Sequence, residues 1–379
     1  MPNWPLDEFL QAQTPFYYYD LGLLGRTLDA CLAAAGESKV HYAVKANANP
    51  RILAEIAARG LGADCVSGGE IEAAYNAGFP AESIVFAGVG KSDEEIALAL
   101  DAGIGCFNVE SLPELEVIDE IAGKRGKTAR IALRVNPNID AHTHHFITTG
   151  LAENKFGIPL QQLEDVIARA RELKHVRLTG LHFHIGSQIL DPAPFATLCA
   201  RINDLQRRLA YQAFETINVG GGLGIDYDDP DGHPVPDFER YFAVFRENLN
   251  LRSGQELHFE LGRSIVGQCG SLISRVLYVK EAVKKKFIIA DAGMSELMRP
   301  ALYGARHLCE NLTAPADAPR EKYDVVGPVC ESSDVFATDD VLPRTRRGDI
   351  LAFRSAGAYG ETMASNYNLR KLRQPIFTL

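Results

Sequence analysis

From about residue 40 to residue 260 the chain repeats one pattern, a short apolar run followed by an amphipathic stretch. The apolar runs fall at 41–44, 63–66, 84–87, 104–107, 130–135, 178–185, 216–219 and 257–259, and helix-like segments include 67–77, 93–102, 111–124 and 160–173. Several of these helices open on a cap residue followed three positions later by Glu or Gln, as in Ser111-Leu112-Pro113-Glu114. Gly78 and Gly103 stand where two of them must end in a left-handed residue. Short strands joined by crossover helices run parallel, and eight of them close a sheet on itself. The pattern therefore predicts an α/β chain built on a (β/α)8 TIM-like barrel. A doubly wound open sheet is the alternative, weakened because no GxGxxG follows the first strand.

After Gly262 the texture changes. Runs at 272–283, 287–290, 323–329 and 350–353 alternate apolar and polar residues with no long helical segment between them, which predicts a C-terminal antiparallel β domain, a barrel or a sandwich. Residues 16–19 form an isolated strand able to pair with it. The expected division is a barrel over 21–260 and a β domain made of 1–20 plus 261–379, joined by that N-terminal strand. A net charge of −10 argues against nucleic acid or an anionic membrane as partner, while leaving room for a small anionic ligand. No apolar run approaches the roughly 20 residues a membrane span needs, and residues 1–14 lack the apolar core of a signal peptide. Seven cysteines, odd in number and never spaced CxxC, read as reduced thiols of a cytoplasmic protein.

In a β/α barrel, chemistry gathers at the C-terminal ends of the strands. Those ends carry Lys45, Asp64, Gly88, Glu110, Arg134, His184, Gly220-Gly221-Gly222 and Glu260. Each has a structural explanation taken singly; together they describe a polar cavity. An amine held at a strand tip, as Lys45 is after His41-Tyr42-Ala43-Val44, can form an imine with a carbonyl cofactor. The Gly220–Gly224 turn reads either as a flexible turn or as a nest of backbone N–H groups for phosphate, and its place at the seventh strand favours the nest. His182 and His184 share one side of a strand. They read as a metal pair, as an imidazole stacked on an aromatic ligand, or, for His182, as a hydrogen-bonded core residue. His142, His144 and His145 read as solvated loop residues. A carboxylate such as Glu260 keeps a pyridine nitrogen protonated. An imine lysine, a phosphate nest and a ring-nitrogen carboxylate are the contacts that pyridoxal 5'-phosphate (PLP) demands.

The motifs carry a family resemblance over residues 14 to 368. They are Tyr42-Ala43-Val44-Lys45-Ala46-Asn47, Asp64-Cys65-Val66-Ser67-Gly68-Gly69-Glu70, His184-Ile185-Gly186-Ser187-Gln188, the Gly220–Gly224 turn, Glu260-Leu261-Gly262-Arg263, Arg299-Pro300-Ala301-Leu302-Tyr303, Cys330-Glu331-Ser332 and Gly357-Ala358-Tyr359-Gly360. In this set and order the chain resembles the alanine-racemase-fold (fold type III) PLP-dependent decarboxylases, and among them the diaminopimelate decarboxylase family. The resemblance implies a lysine-forming carboxy-lyase, active as a homodimer with shared sites. It implies an internal aldimine at Lys45, His184 stacked on the ring and Glu260 at the pyridine nitrogen. Asp64, Ser187, Gly221, Gly222, Gly262 and Tyr359 are implied around the cofactor. Arg299, Tyr303, Glu331 and Tyr359 are implied at the substrate, with Arg263 on either phosphate or a substrate carboxylate. Cys330 is implied as the proton donor, reaching across the dimer interface. Leu261 stands where many relatives have proline, a change of backbone stiffness rather than of a ligand.

Arg299 suits a distal carboxylate and Glu331 a distal ammonium, so the pair favours a zwitterionic substrate tail over the cationic tail of ornithine or arginine. The purely structural alternatives are a surface arginine at 299 and a buried apolar thiol at 330. Competing functional readings are a decarboxylase of another diamino acid, a racemase of the same fold, a metal-dependent hydrolase using His182 and His184, and a non-catalytic PLP-binding protein. A racemase needs a second base, usually tyrosine, where Cys330 stands.

Overall fold

The computed structural model describes residues 4–139 and 155–378; His142, His144 and His145 lie outside the described residues. The chain forms two compact units, one of Leu28–Gly224 with Asp237–Ile265, the other of Met1–Thr27, Ile225–Pro236 and Val266–Leu379. Segment 225–236, grouped with the second unit, carries no signal in the sequence pattern that would assign it there.

The first unit is the barrel. Counting from β1 (Phe16–Asp20), which belongs to the second unit, its strands are β2 (Lys39–Ala43), β3 (Gly62–Cys65), β4 (Ile84–Phe86), β5 (Cys106–Val109), β6 (Ala129–Asn136), β8 (Val176–His182), β9 (Thr216–Asn218) and β10 (Glu256–Leu261), with the two-residue β7 (Ile158–Pro159) beside β6. All pair in parallel in the order β5-β4-β3-β2-β10-β9-β8-β6, and β5 pairs with β6 to close the ring. The eight expected runs are the eight barrel strands. The fourth, β5, begins two residues later than expected, because Ile104 N–H still bonds Ala99 at the preceding helix end and Gly105 N–H is tied to Ala81 and Ile84.

The helices start where the caps dictate. Ser67 accepts from Glu70 N–H, Ser111 from Glu114 N–H, and Ser92 with Glu95 closes both halves of a capping box. Gly103 ends the Asp93–Ala102 helix at φ 71°, in the left-handed region. Helix Phe238–Asn248 buries Phe238, Tyr241, Phe242 and Phe245, a spacing that gives one apolar stripe. Phe259 on β10 meets Phe242 and Phe245 edge-on, at 4.7 and 5.0 Å between ring centres.

The second unit is a mixed sheet. Its path is β13 (Cys309–Asn311), β16 (Ile350–Phe353), β11 (Gly270–Glu281), β12 (Lys286–Ala290), β14 (Arg320–Val326) and β15 (Val335–Pro343). The N-terminal β1 pairs antiparallel with β11, as residues 16–19 led one to expect, and parallel with β17 (Ile376–Thr378). Pairing is mostly antiparallel, with β12–β14 as the other parallel contact. Strand β15 escaped the sequence pattern because it has an edge position, carries Asp339-Asp340 in its middle and buries only Phe336 and Leu342.

Phe259 is fully buried among aromatic rings. We expect Phe259→Ala to lower unfolding free energy by about 3–5 kcal/mol, read from the urea midpoint; a change within experimental error would show that the helix face and barrel wall repack without it.

Candidate active site

Lys45 sits in a single 3-10 turn, Val44–Ala46, directly after β2; its neighbours Val44 and Ala46 are buried and anchor the turn. Its Nζ donates to Asp64 Oδ2, 3.1 Å away at the end of β3. The lysine side chain is 38% exposed and the aspartate 1%, so a partly exposed amine meets a buried carboxyl group. Burial pushes the Asp64 carboxyl up, the Glu260 charge adds to this, and Lys45 opposes it. Asp64 Oδ1 is buried with no hydrogen-bond partner among the described residues.

Glu260 lies near the end of β10, beside β2, and both its oxygens are engaged. Its Oε1 accepts from Asn108 Nδ2 at 3.1 Å and Asn218 Nδ2 at 2.7 Å, and Oε2 lies 2.8 Å from His182 Nε2. Burial acts to raise its pKa, but the charge and hydrogen bond of His182, with Lys45 and His41, bring it below the ordinary carboxylate value. Glu260 is therefore an anion inside the barrel.

His184 behaves differently from His182. Its Nδ1 accepts the Gly221 N–H at 3.3 Å, and burial, then Arg134 and Lys45, hold the imidazole well below its usual pKa. It is a neutral ring. The two histidines thus go to separate partners, and no group of three or more metal-ligating side chains occurs among the described residues.

The glycine turn follows β9. Gly220 and Gly222 have φ of 72° and 119°, and a Cβ on Gly221 would overlap the Glu260 carbonyl oxygen. The backbone, not a side chain, lines that edge. Arg263 opens the short helix after β10, directly following Gly262, and donates to Ser187 Oγ through Nε at 3.3 Å and Nη2 at 3.0 Å. The tip residues Gly88, Glu110 and Arg134 satisfy one another. Glu110 Oε1 accepts from Arg134 Nη1 at 2.6 Å and from Gly88 N–H at 3.2 Å, and Oε2 accepts from Gly157 N–H at 2.8 Å.

The remaining expected site residues belong to the β unit. Arg299 is 5% exposed, so it is no surface arginine; Tyr303 ends the same short helix, Arg299–Tyr303. Tyr359 adopts φ 57° two residues before Glu361, which accepts from Tyr19 Oη at 2.7 Å. Cys330 is exposed, whereas the other cysteines are buried or half-buried. Glu331 next to it accepts from Tyr367 Oη, and from Ser333 Oγ at 3.3 Å. Asp334 holds this loop by accepting from Val329 N–H at 2.7 Å and Met294 N–H at 2.6 Å.

Comparison with known proteins agrees with the chemistry of these groups. Residues 21–267 match the family model described as pyridoxal-dependent decarboxylase, pyridoxal binding domain. The chain belongs to the pyridoxal-dependent decarboxylase family. It is 60% identical to the diaminopimelate decarboxylase of Bacteroides thetaiotaomicron, over 97% of this chain and 96% of that one. It is 42% identical to that of Aquifex aeolicus, over 94% and 84%. Its fold matches the crystal structure of Helicobacter pylori diaminopimelate decarboxylase complexed with L-lysine with a TM-score of 0.91 and 40% identity, covering 98% of this chain and 93% of that one. A lysine/ornithine decarboxylase from Vibrio vulnificus, at 24% identity and a TM-score of 0.85, shares the fold.

The cofactor of this decarboxylase family is PLP, and the barrel residues fit it. Lys45 supplies a held amine, Glu260 an ionised carboxylate, His184 a neutral flat ring, and the Gly220–Gly222 turn a backbone edge that admits no side chain. Asn108 and Asn218, which keep Glu260 charged, were not read from the sequence; the available signal was an amide inside each of two otherwise apolar strands. His182, expected as a hydrogen-bonded core residue, is buried against Glu260.

Gly221→Ala forces the Glu260 carbonyl aside. We expect PLP affinity to fall by at least about tenfold, since the turn could no longer follow the backbone path that lines this edge. Titration of the apo-protein with PLP, followed by absorbance, checks this; unchanged affinity would separate the turn from the cofactor.

Proposed function

We propose that the chain decarboxylates meso-2,6-diaminopimelate to L-lysine and CO2, the last step of lysine biosynthesis, with PLP as cofactor. The observation that carries this reading is the set of Lys45, Asp64, Glu260 and the glycine turn in one barrel, in a chain 60% identical along nearly its whole length to a diaminopimelate decarboxylase. When bound, PLP supplies the electron sink that accepts the electron pair left behind as CO2 departs.

In this reading Lys45 carries the cofactor, Glu260 retains the ring-nitrogen proton because its own charge is secured by three donors, and His184 covers the ring face. Ser187, Gly221, Gly222, Gly262 and Tyr359 surround the cofactor, and Asp64 steadies the Lys45 amine. The bonds from Arg263 to Ser187 favour a phosphate-side role for that arginine. The barrel, residues 21–260, serves the cofactor; 1–20 plus 261–379 serve the substrate. Arg299 grips the distal carboxylate with Tyr303 and Tyr359 beside the substrate, and Glu331 pairs with the distal ammonium. Cys330 Sγ delivers the proton to the carbon that has lost CO2.

The homodimer and the cytoplasmic location belong to this proposal as well. Exposure of Cys330 and Glu331 supports a role for them toward a second copy, as do the neighbouring Tyr367 and Leu369, 44% and 91% exposed. No helix among the described residues is long and apolar enough to cross a membrane.

The decisive assay measures CO2 and lysine released from meso-diaminopimelate, with ornithine and arginine as controls; faster turnover of either control overturns the substrate assignment. Lys45→Ala is expected to abolish the lysine-linked cofactor absorbance, and a persistent chromophore would refute its role. Cys330→Ala should bind PLP normally while kcat drops by about a hundredfold or more, the scale of general acid catalysis; an unchanged kcat sinks the proton-donor role. If sites are shared across a two-fold dimer, co-expressing the Lys45→Ala and Cys330→Ala chains restores up to about a quarter of native activity. No recovery would place both residues in one subunit's site.

A further inference from the structure

Arginine is a flexible side chain, yet the β unit builds Arg299 into a frame. Its Nη1 lies 2.8 Å from His307 Nε2, and its guanidinium carbon sits 4.9 Å from the centre of the Tyr227 ring. His307 is oriented in turn: its Nδ1 lies 2.8 Å from the Arg354 carbonyl oxygen, and its ring meets Tyr227 edge-on at 5.3 Å. A carbonyl can only accept, so Nδ1 bears the proton; an arginine can only donate, so Nε2 presents its lone pair. The two neighbours therefore select one tautomer of a neutral imidazole.

Sheet pairing fixes the far end of this relay. Cys309 on β13 stands opposite Phe353 on β16, and Arg354 N–H donates to Leu308 O at 2.9 Å. The Arg354 side chain is locked by Glu310 and Asp231, each at 2.7 Å. His307 and Arg299 are 3% and 5% exposed, so water is a poor substitute for either partner.

We propose that His307 is a positioning residue for substrate: by accepting from one nitrogen of Arg299, it aims the rest of the guanidinium fork at the distal carboxylate of the amino-acid substrate. This rests on the carboxylate-binding role proposed above for Arg299. Decarboxylation at one centre of diaminopimelate leaves the distal carboxylate intact on L-lysine, so L-lysine binding reads the same grip. Cadaverine, the diamine without that carboxylate, does not.

The test uses the PLP-loaded enzyme and measures Kd for L-lysine and for cadaverine by calorimetry, with kcat and KM for diaminopimelate. His307→Phe keeps an aromatic ring but offers no acceptor; the expected result is an L-lysine Kd and a diaminopimelate KM raised by about tenfold, the scale of one hydrogen bond to a charged group. Cadaverine affinity should stay within about twofold of native, and the effect should fall on KM rather than kcat. Two amides separate positioning from structural support. His307→Gln places an acceptor near the Nε2 position and should recover most of the L-lysine affinity. His307→Asn can replace only the bond to the Arg354 carbonyl and should not. Asn rescuing better than Gln would overturn the proposal, and this pair decides it even if His307→Phe fails to fold. Arg299→Met separates the two readings. If it weakens L-lysine binding while His307→Phe does not, His307 is excluded and Arg299 stands. If Arg299→Met leaves L-lysine affinity unchanged, the carboxylate role fails and this inference with it.

Discussion

The barrel mouth is organised around one buried charge. Glu260 lies inside a closed sheet, where an unpaired carboxylate would be neutralised by protonation. Two amides and one imidazole from β5, β9 and β8 prevent this, each reaching the carboxylate from a different strand. Because these donors are spread around the ring, the anion also links strands far apart in sequence. Lys45 contributes positive potential, and the neutral ring of His184 sits nearby without competing for the charge.

A second layer of polar contacts stiffens the loops at the strand ends. Lys91, nearly inaccessible, donates to the Gly88 and Asn108 carbonyls at 2.8 Å each and to Glu114 at 2.6 Å. Glu110 ties Arg134 to two backbone N–H groups. Such groups are costly to bury unless every donor and acceptor is matched. Here they convert polar residues at the barrel tips into fixed geometry. The β unit repeats the device with other chemistry: Asp334 holds the Cys330 loop through backbone N–H groups, and His307 with Tyr227 holds Arg299.

Much of this was legible beforehand. All eight barrel strands and several helix caps follow from apolar periodicity and from Ser67, Ser92 and Ser111, because local spacing carries that information. Strand β1 was readable as a partner of the later sheet. Strands β13, β15 and β17 were not, being short, exposed on one face or interrupted by Asp339 and Asp340. The chemistry-bearing side chains at the barrel tips could be named from their position after each strand. Asn108, Asn218, Tyr227 and His307 could not, since an isolated amide or ring in a sequence does not say which residue it will meet.

Sequence alone pointed to the architecture and the inventory of reactive groups: eight β/α repeats suit a closed barrel better than an open sheet, and a lysine, a glycine turn and a glutamate stand at definite strand ends. Tertiary structure decided the state of those groups. That Glu260 is ionised, that His184 is neutral and that His307 must present its Nε2 lone pair all depend on partners brought from distant strands. Protonation and tautomer are set by the local field and by hydrogen-bond complementarity, which exist only once the strands have paired.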